Sequence, residues 1–204
     1  MTIFVSLLSA CNDEPESTDD ASDSTNSLVS EVSTKSVTVQ TETALAKRAV
    51  SIFAGKIKEN LSTAIRESGP MKALRVCNHK MPKLTAHLSD VYGKQLSRVS
   101  LKYRNPNNAP DEWQREILED FETRKALGEN VKLMAYAEIV THQGQKQFRF
   151  MKAIPTENSC LTCHGTTLSP KLHKRINTLY PKDKAIGYEQ GDIRGAFVFV
   201  NNLQ

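Results

Sequence analysis

Cys160 and Cys163 lie three positions apart, with His164 directly after the second, in a 204-residue chain that holds only four cysteines. A Cys-x-x-Cys-His run lets two thiols add across the two vinyl groups of one porphyrin while the adjacent imidazole reaches the iron from the same side. Cys160 and Cys163 are therefore candidate thioether attachments for one covalent haem c, and His164 is the candidate axial iron ligand. The competing chemistries fit less well. A zinc ribbon needs a second cysteine pair or a Cys-His pair at ligand spacing, which the chain lacks. A thioredoxin-like pair opens a helix after a strand and has no use for the histidine. A disulfide between Cys160 and Cys163 would close a strained loop.

The function of such a centre turns on the sixth iron position. Cys77, His79, Met81, His87, His142 and His173 are the candidates. Leu74, Cys77, Met81, Leu84 and Leu88 fall on one stripe of a helical pattern, so Cys77 is expected to point inward. His87, His142 and His173 read as surface residues and Met81 as core. On residue types alone Cys77, His79 and Met81 stay nearly equal. A thiolate would favour ferric iron and lower the potential, whereas methionine would raise it.

The elements that must position these residues follow from periodicity. A helix runs from Thr43, with Leu45, Ala49, Ile52, Phe53, Ile57, Leu61, Ala64 and Ile65 on one face, and ends at Gly69-Pro70. Two further helical blocks meet at Pro82, which breaks or kinks them. Residues 95 to 103 alternate as a strand and "RNPNNAPD" reads as a loop. Asp111 caps the next helix, with Gln114 completing a capping box. Strands over 131 to 141 and 146 to 154 flank a turn at Gln143-Gly144. A short helix at 169 to 180 and a last strand, "IRGAFVFV", follow the cysteine motif. Helices first and strands in antiparallel order afterwards indicate an α+β fold, one sheet with helices on a side.

The N-terminal head has another character. Leu8-Ser9-Ala10-Cys11 closes a short apolar stretch and resembles a bacterial lipobox, which makes Cys11 the candidate lipidation site, although no Lys or Arg precedes the stretch. Asn12 after it resembles an outer-membrane signal. Residues 1–11 then form the signal segment, 12–42 an acidic tether too poor in apolar side chains to order itself, and 43–204 the folded domain. A periplasmic, lipid-anchored protein is expected, touching the membrane through that anchor only. Residues 1–46 hold eight acidic residues and one lysine, so the body carries the basic charge. Its cations are scattered and aromatics make up only 6% of the chain, so no stacking platform for nucleic acid is expected.

Three motifs carry a resemblance. "LKYRNPNNAPDEW", "SCLTCHG" and "GYEQGDIRGAFVF", in this order, resemble the single-haem, PAS-like c-type haem domains, first catalogued as a domain of unknown function. These occur alone or as extracytoplasmic sensors of kinases and chemoreceptors. The resemblance covers the chain from about Ala46 onward. It implies a PAS-like antiparallel sheet with long N-terminal helices and a covalently attached haem. It also implies iron ligation by the motif histidine and by a cysteine that aligns with Cys77 in "ALRVCNHKMP"; Met81 stands where the family usually has Ala. Arg104, in the RNPxNAPD-like loop, becomes a candidate contact to a haem propionate or a loop brace, and Arg194 has the same two readings.

The expected function is an exported single-haem c-type cytochrome domain for redox or diatomic-gas sensing or single-electron transfer. The chain ends four residues past the last strand, which favours electron transfer or a separate signalling partner. The cytochrome c maturation machinery is an expected partner, and the long first helix could support a homodimer. The rival is not a carrier but an enzyme, a peroxidase with an open distal face and His79 as acid/base.

Overall fold

The computed structural model describes residues 23–203, with side chains from Val39 onward. Cys11 and the rest of the expected signal segment, 1–11, lie outside the described residues. The contacts group Thr38–Gln204 into one unit, distinct from the residues before it. Within it an antiparallel sheet of four strands has the order β1-β4-β3-β2, formed by β1 (Gln95–Val99), β2 (Ala135–His142), β3 (Gln145–Pro155) and β4 (Ile193–Asn202). This is the expected α+β architecture.

The first helix, α1 (Asp23–Arg75), is interrupted at Gly69, where Pro70 forces the preceding residue out of helical geometry. It starts well inside the stretch whose composition points to a tether. Residues 23–42 contain no Gly or Pro, and extending an established helix costs far less than nucleating one. Its buried stripe is Ala46, Ala49, Val50 and Phe53, with Ile57 partly buried, shifted from the expected face, and Leu45 and Ile52 are exposed. The two alanines at the helix–sheet contact admit a close approach that the larger side chains would block.

β4 lies between β1 and β3, pairing Leu96 with Phe199 on one side and Phe150 with the same Phe199 on the other. Helices cover both faces of the sheet rather than one. Phe148, Phe150, Phe197 and Phe199 pack with α1 and with Leu88 of α2 (Met81–Tyr92). On the opposite face Met151, Ala153, Val198 and Val200 pack with Leu118 and Phe121 of α3 (Glu112–Ala126). A strand buried on both faces reads as a nearly continuous apolar run, which accounts for "GAFVFV". Each fully buried phenylalanine contributes about 1.5–3 kcal/mol of transfer free energy.

Local signals hold where the chemistry is local. Asp111 and Gln114 form the capping box of α3, and Gln143 and Gly144 form the β2–β3 turn with positive φ at both residues. Strand lengths differ from expectation. β1 ends at Val99 because Ser100 N–H donates to the Asn108 carbonyl instead of continuing the ladder. β2 starts at Ala135, since the Asn130 side chain accepts from Lys132 N–H and holds residues 130–134 in turns. No helix among the described residues is long and apolar enough to cross a membrane.

Candidate functional site

Four pieces of chain converge on the cysteine motif in the helix after β3: the end of β1 with its following loop, the segment around Cys77, the stretch 180–188, and the start of β4. Cys160, Cys163 and His164 sit on α4 (Asn158–His164), a short helix that periodicity did not reveal. Both cysteines and Cys77 are free thiols, so no disulfide joins Cys160 to Cys163. Glu157 N–H donates to Cys160 Sγ at 3.4 Å. Gly165 closes the helix, its N–H donating to the Leu161 carbonyl. A Cβ added at Gly165 would lie 2.7 Å from that same oxygen, so no larger residue can follow the histidine without a backbone shift.

The His164 ring is held by one hydrogen bond: Nδ1 donates to the Ala185 carbonyl at 2.7 Å. A carbonyl only accepts, so the proton is on Nδ1 and the Nε2 lone pair is free for a metal. Burial, with Arg194 and Arg104 close by, pushes the imidazole pKa well below its usual 6.5 and keeps the ring neutral. The stretch after Ala185 runs alongside the motif, where Tyr188 N–H donates to the His164 carbonyl and Gly187 N–H to the Gly165 carbonyl. The Tyr188 ring meets the imidazole at 6.2 Å and 87°, and its hydroxyl donates to the Lys102 carbonyl.

Cys77 lies in a π-helical turn, Val76–Lys80, between α1 and α2. Met81 N–H reaches back to the Val76 carbonyl, one residue further than in an α-helix, and Pro82 contributes no N–H to restore the regular pattern. The extra residue re-aims the side chains of this turn: Cys77 is partly buried, while His79 is exposed. Burial raises the Cys77 thiol pKa, opposed by Arg98, Arg104 and Arg194. The same three arginines act on His164. Cys77 also raises the pKa of Cys163 by its charge, after the larger effect of burial. The thiol, the imidazole and the motif cysteine therefore all lie within electrostatic reach of Arg104. Of the other candidates for the sixth position, Met81 is buried at the start of α2, and His87, His142 and His173 are exposed.

Arg104 is buried, and its contacts are internal. Nε donates to Asp183 Oδ1 at 3.1 Å, and Nη2 donates to the Cys163 carbonyl at 2.7 Å and the Ala185 carbonyl at 3.1 Å. The side chain is thus a brace between the motif and the stretch 183–185. Asn105 accepts from Asn107 N–H, and Asn108 offers its carbonyl to Ser100, so both asparagines fix the loop that presents Arg104. Arg194 donates to Ser100 Oγ and lies over the Tyr188 ring at 5.2 Å. Burial and Arg98 lower its pKa to about 10, which leaves it charged at neutral pH. Arg98 and Arg194 have no carboxylate partner among the described residues, whereas Arg104 has Asp183.

Sequence reasoning missed Arg98, Asp183 and Tyr188. Arg98 is one polar residue in an alternating strand, and Asp183 meets Arg104 from 79 positions away, so neither carries a local signal.

These donors fit the haem that the motif implies. A neutral imidazole offers Nε2, the Cys77 thiol feels the same arginines, two further cysteines precede the histidine, and two guanidiniums without a carboxylate partner among the described residues can meet carboxylates. Among the described residues no three or more His, Cys, Asp or Glu side chains gather as a multi-ligand metal centre.

The solved structures include a near match, a crystal structure titled as that of the cyanobacterial haem-protein Tll0287. It is 25% identical to this chain with a TM-score of 0.60, covering 80% of this chain and 96% of that one. No curated protein matches the chain. The model of the family described as Tll0287-like matches residues 17–200, nearly the whole of the sequence, and the chain belongs to the Tll0287-like family.

Proposed function

We propose that this chain is an exported c-type haem protein that carries one haem on Cys160 and Cys163, ligated by His164 and Cys77, and works in one-electron transfer or redox sensing. The observation that carries the reading is the free Nε2 of His164, set by its Nδ1–H bond to Ala185, with the same three arginines acting on the imidazole and on the Cys77 thiol. That the related cyanobacterial protein is a haem protein supports it. A bound haem supplies a reversible one-electron couple. The chain's own residues do the rest: Ala185 keeps the imidazole in the ligating tautomer, and the buried surroundings exclude water. Arg98 and Arg194 offer charge to the propionates, and Cys77 supplies a donor that favours the ferric state.

Cys77 is also the natural point of response. A proton on its sulfur weakens it as a ligand, so a change of redox state or an incoming diatomic ligand would act there rather than at His164. A peroxidase would need His79 above an open iron, but His79 is on the solvent side of the π turn. Export follows from the chemistry of thioether attachment, which bacteria carry out across the membrane with the cytochrome c maturation machinery. The lipid anchor at Cys11 would keep the protein at the periplasmic face of the outer membrane.

The test is expression with that machinery followed by a denaturing gel stained for haem. The parent chain should retain stain, and Cys160→Ser with Cys163→Ser should lose it. A parent band without haem, alongside a control cytochrome that is stained, would overturn the reading.

A further inference from the structure

We infer that Arg104 and Asp183 are positioning residues that set the strength of the hydrogen bond on His164, and through it the reduction potential of the iron. This rests on the proposed haem ligation by His164.

The Ala185 carbonyl accepts two hydrogen bonds, one from His164 Nδ1 at 2.7 Å and one from Arg104 Nη2 at 3.1 Å. A cation on a shared acceptor draws electron density from the oxygen and weakens its pull on the second donor. The imidazole then keeps more neutral character, donates less charge to iron, and the ferric state is less favoured. The same Nη2 donates to the carbonyl of Cys163, the residue before the histidine, so one nitrogen ties the peptide ahead of the ligand to the peptide that orients its ring.

Asp183 completes the clamp. Its Oδ1 accepts from Arg104 Nε and from Ala185 N–H at 2.9 Å. Ala185 is fully buried and is gripped at both of its backbone groups, N–H by the carboxylate and C=O by the guanidinium. Arg104 and Asp183 side chains are 9% and 5% exposed, so water does not screen the pair. The clamp therefore works in a medium where each charge counts strongly.

The two partners should act in opposite directions. Arg104→Gln frees the Ala185 oxygen from the cation and lowers the potential. Asp183→Asn keeps an oxygen for Ala185 N–H but leaves the guanidinium uncompensated, and raises it. A role confined to holding the fold would move both variants the same way. Arg104→Lys separates hydrogen bonding from charge, because an ammonium keeps the charge but lacks the planar fork that reaches both carbonyls and the carboxylate.

The experiment is voltammetry on the haem-loaded parent and the three variants, with the iron–histidine vibration recorded on each. Shifts of about tenfold in the reduction equilibrium, about 59 mV for one electron, are expected: downward for Arg104→Gln and Arg104→Lys, upward for Asp183→Asn. An unmoved potential in Arg104→Lys, or shifts of one sign in Arg104→Gln and Asp183→Asn, would overturn the inference. So would failure of both Arg104 variants to take up haem while Asp183→Asn matches the parent. Absence of covalent haem from the parent would instead overturn the reading of the site.

Discussion

At the scale of residues, the site is governed by what each polar atom already holds. His164 is neutral in the fold because burial and nearby guanidiniums disfavour the imidazolium. In the unfolded chain the imidazole titrates near its ordinary value of about 6.5, so below that pH the unfolded state binds a proton that the folded state refuses. The haem-free domain should therefore hold its stability above about pH 6.5 and lose it as pH falls toward the depressed folded value, by at most about 1.4 kcal/mol per pH unit from this one group. Urea unfolding of the parent and His164→Gln across pH 5–8 checks this: the parent should lose stability relative to the variant on the acid side, because the variant has no imidazole to protonate. The motif itself is legible in sequence because thioether chemistry needs two thiols and an imidazole at fixed local spacing. Arg98 and Asp183 are not, since their relevance arises only where strand and loop meet in space.

At the scale of elements, the backbone is specified most tightly where it crosses itself. A Cβ at Gly195, in β4, would lie 2.2 Å from the Val99 carbonyl, and its φ of 146° is one that larger residues rarely adopt. Gly195→Ala should destabilise the domain by about 3 kcal/mol, since neither the β1 backbone nor the sheet register can yield. Asp111→Ala, which removes the cap of α3, should cost only about 1 kcal/mol by the same thermal or urea measurement, because that helix end is exposed. Capping box and hairpin turn could be read directly, each being a matter of neighbouring residues. The stripe of α1 was offset because the helix buries the face that lets it approach the sheet, not the face with the bulkiest side chains. The π turn was visible only as Pro82, which disrupts a helix without dictating how the disruption resolves.

At the scale of the whole molecule, the sheet is a platform with its helices divided between two faces. α1 and α2 carry Cys77 over one region, and the connection from β3 to β4 carries the motif and the stretch 183–188 that orients its histidine. Fold class followed from the order of helical and strand patterns. Coverage of both faces did not, although the unbroken apolar run of β4 lacks the alternation of a strand with one solvated face. Residues 77, 98, 104, 163, 164, 185 and 194 come together from distant parts of the chain, so the proposed ligation of iron by Cys77 would be a property of the complete fold. The most direct measurement is the low-temperature EPR spectrum of the ferric, haem-loaded protein and of Cys77→Ser. Ligation by both Cys77 and His164 predicts a low-spin signal with the narrow spread of thiolate coordination, lost in the variant. A high-spin spectrum in the parent, or a low-spin signal unchanged in Cys77→Ser, would contradict it.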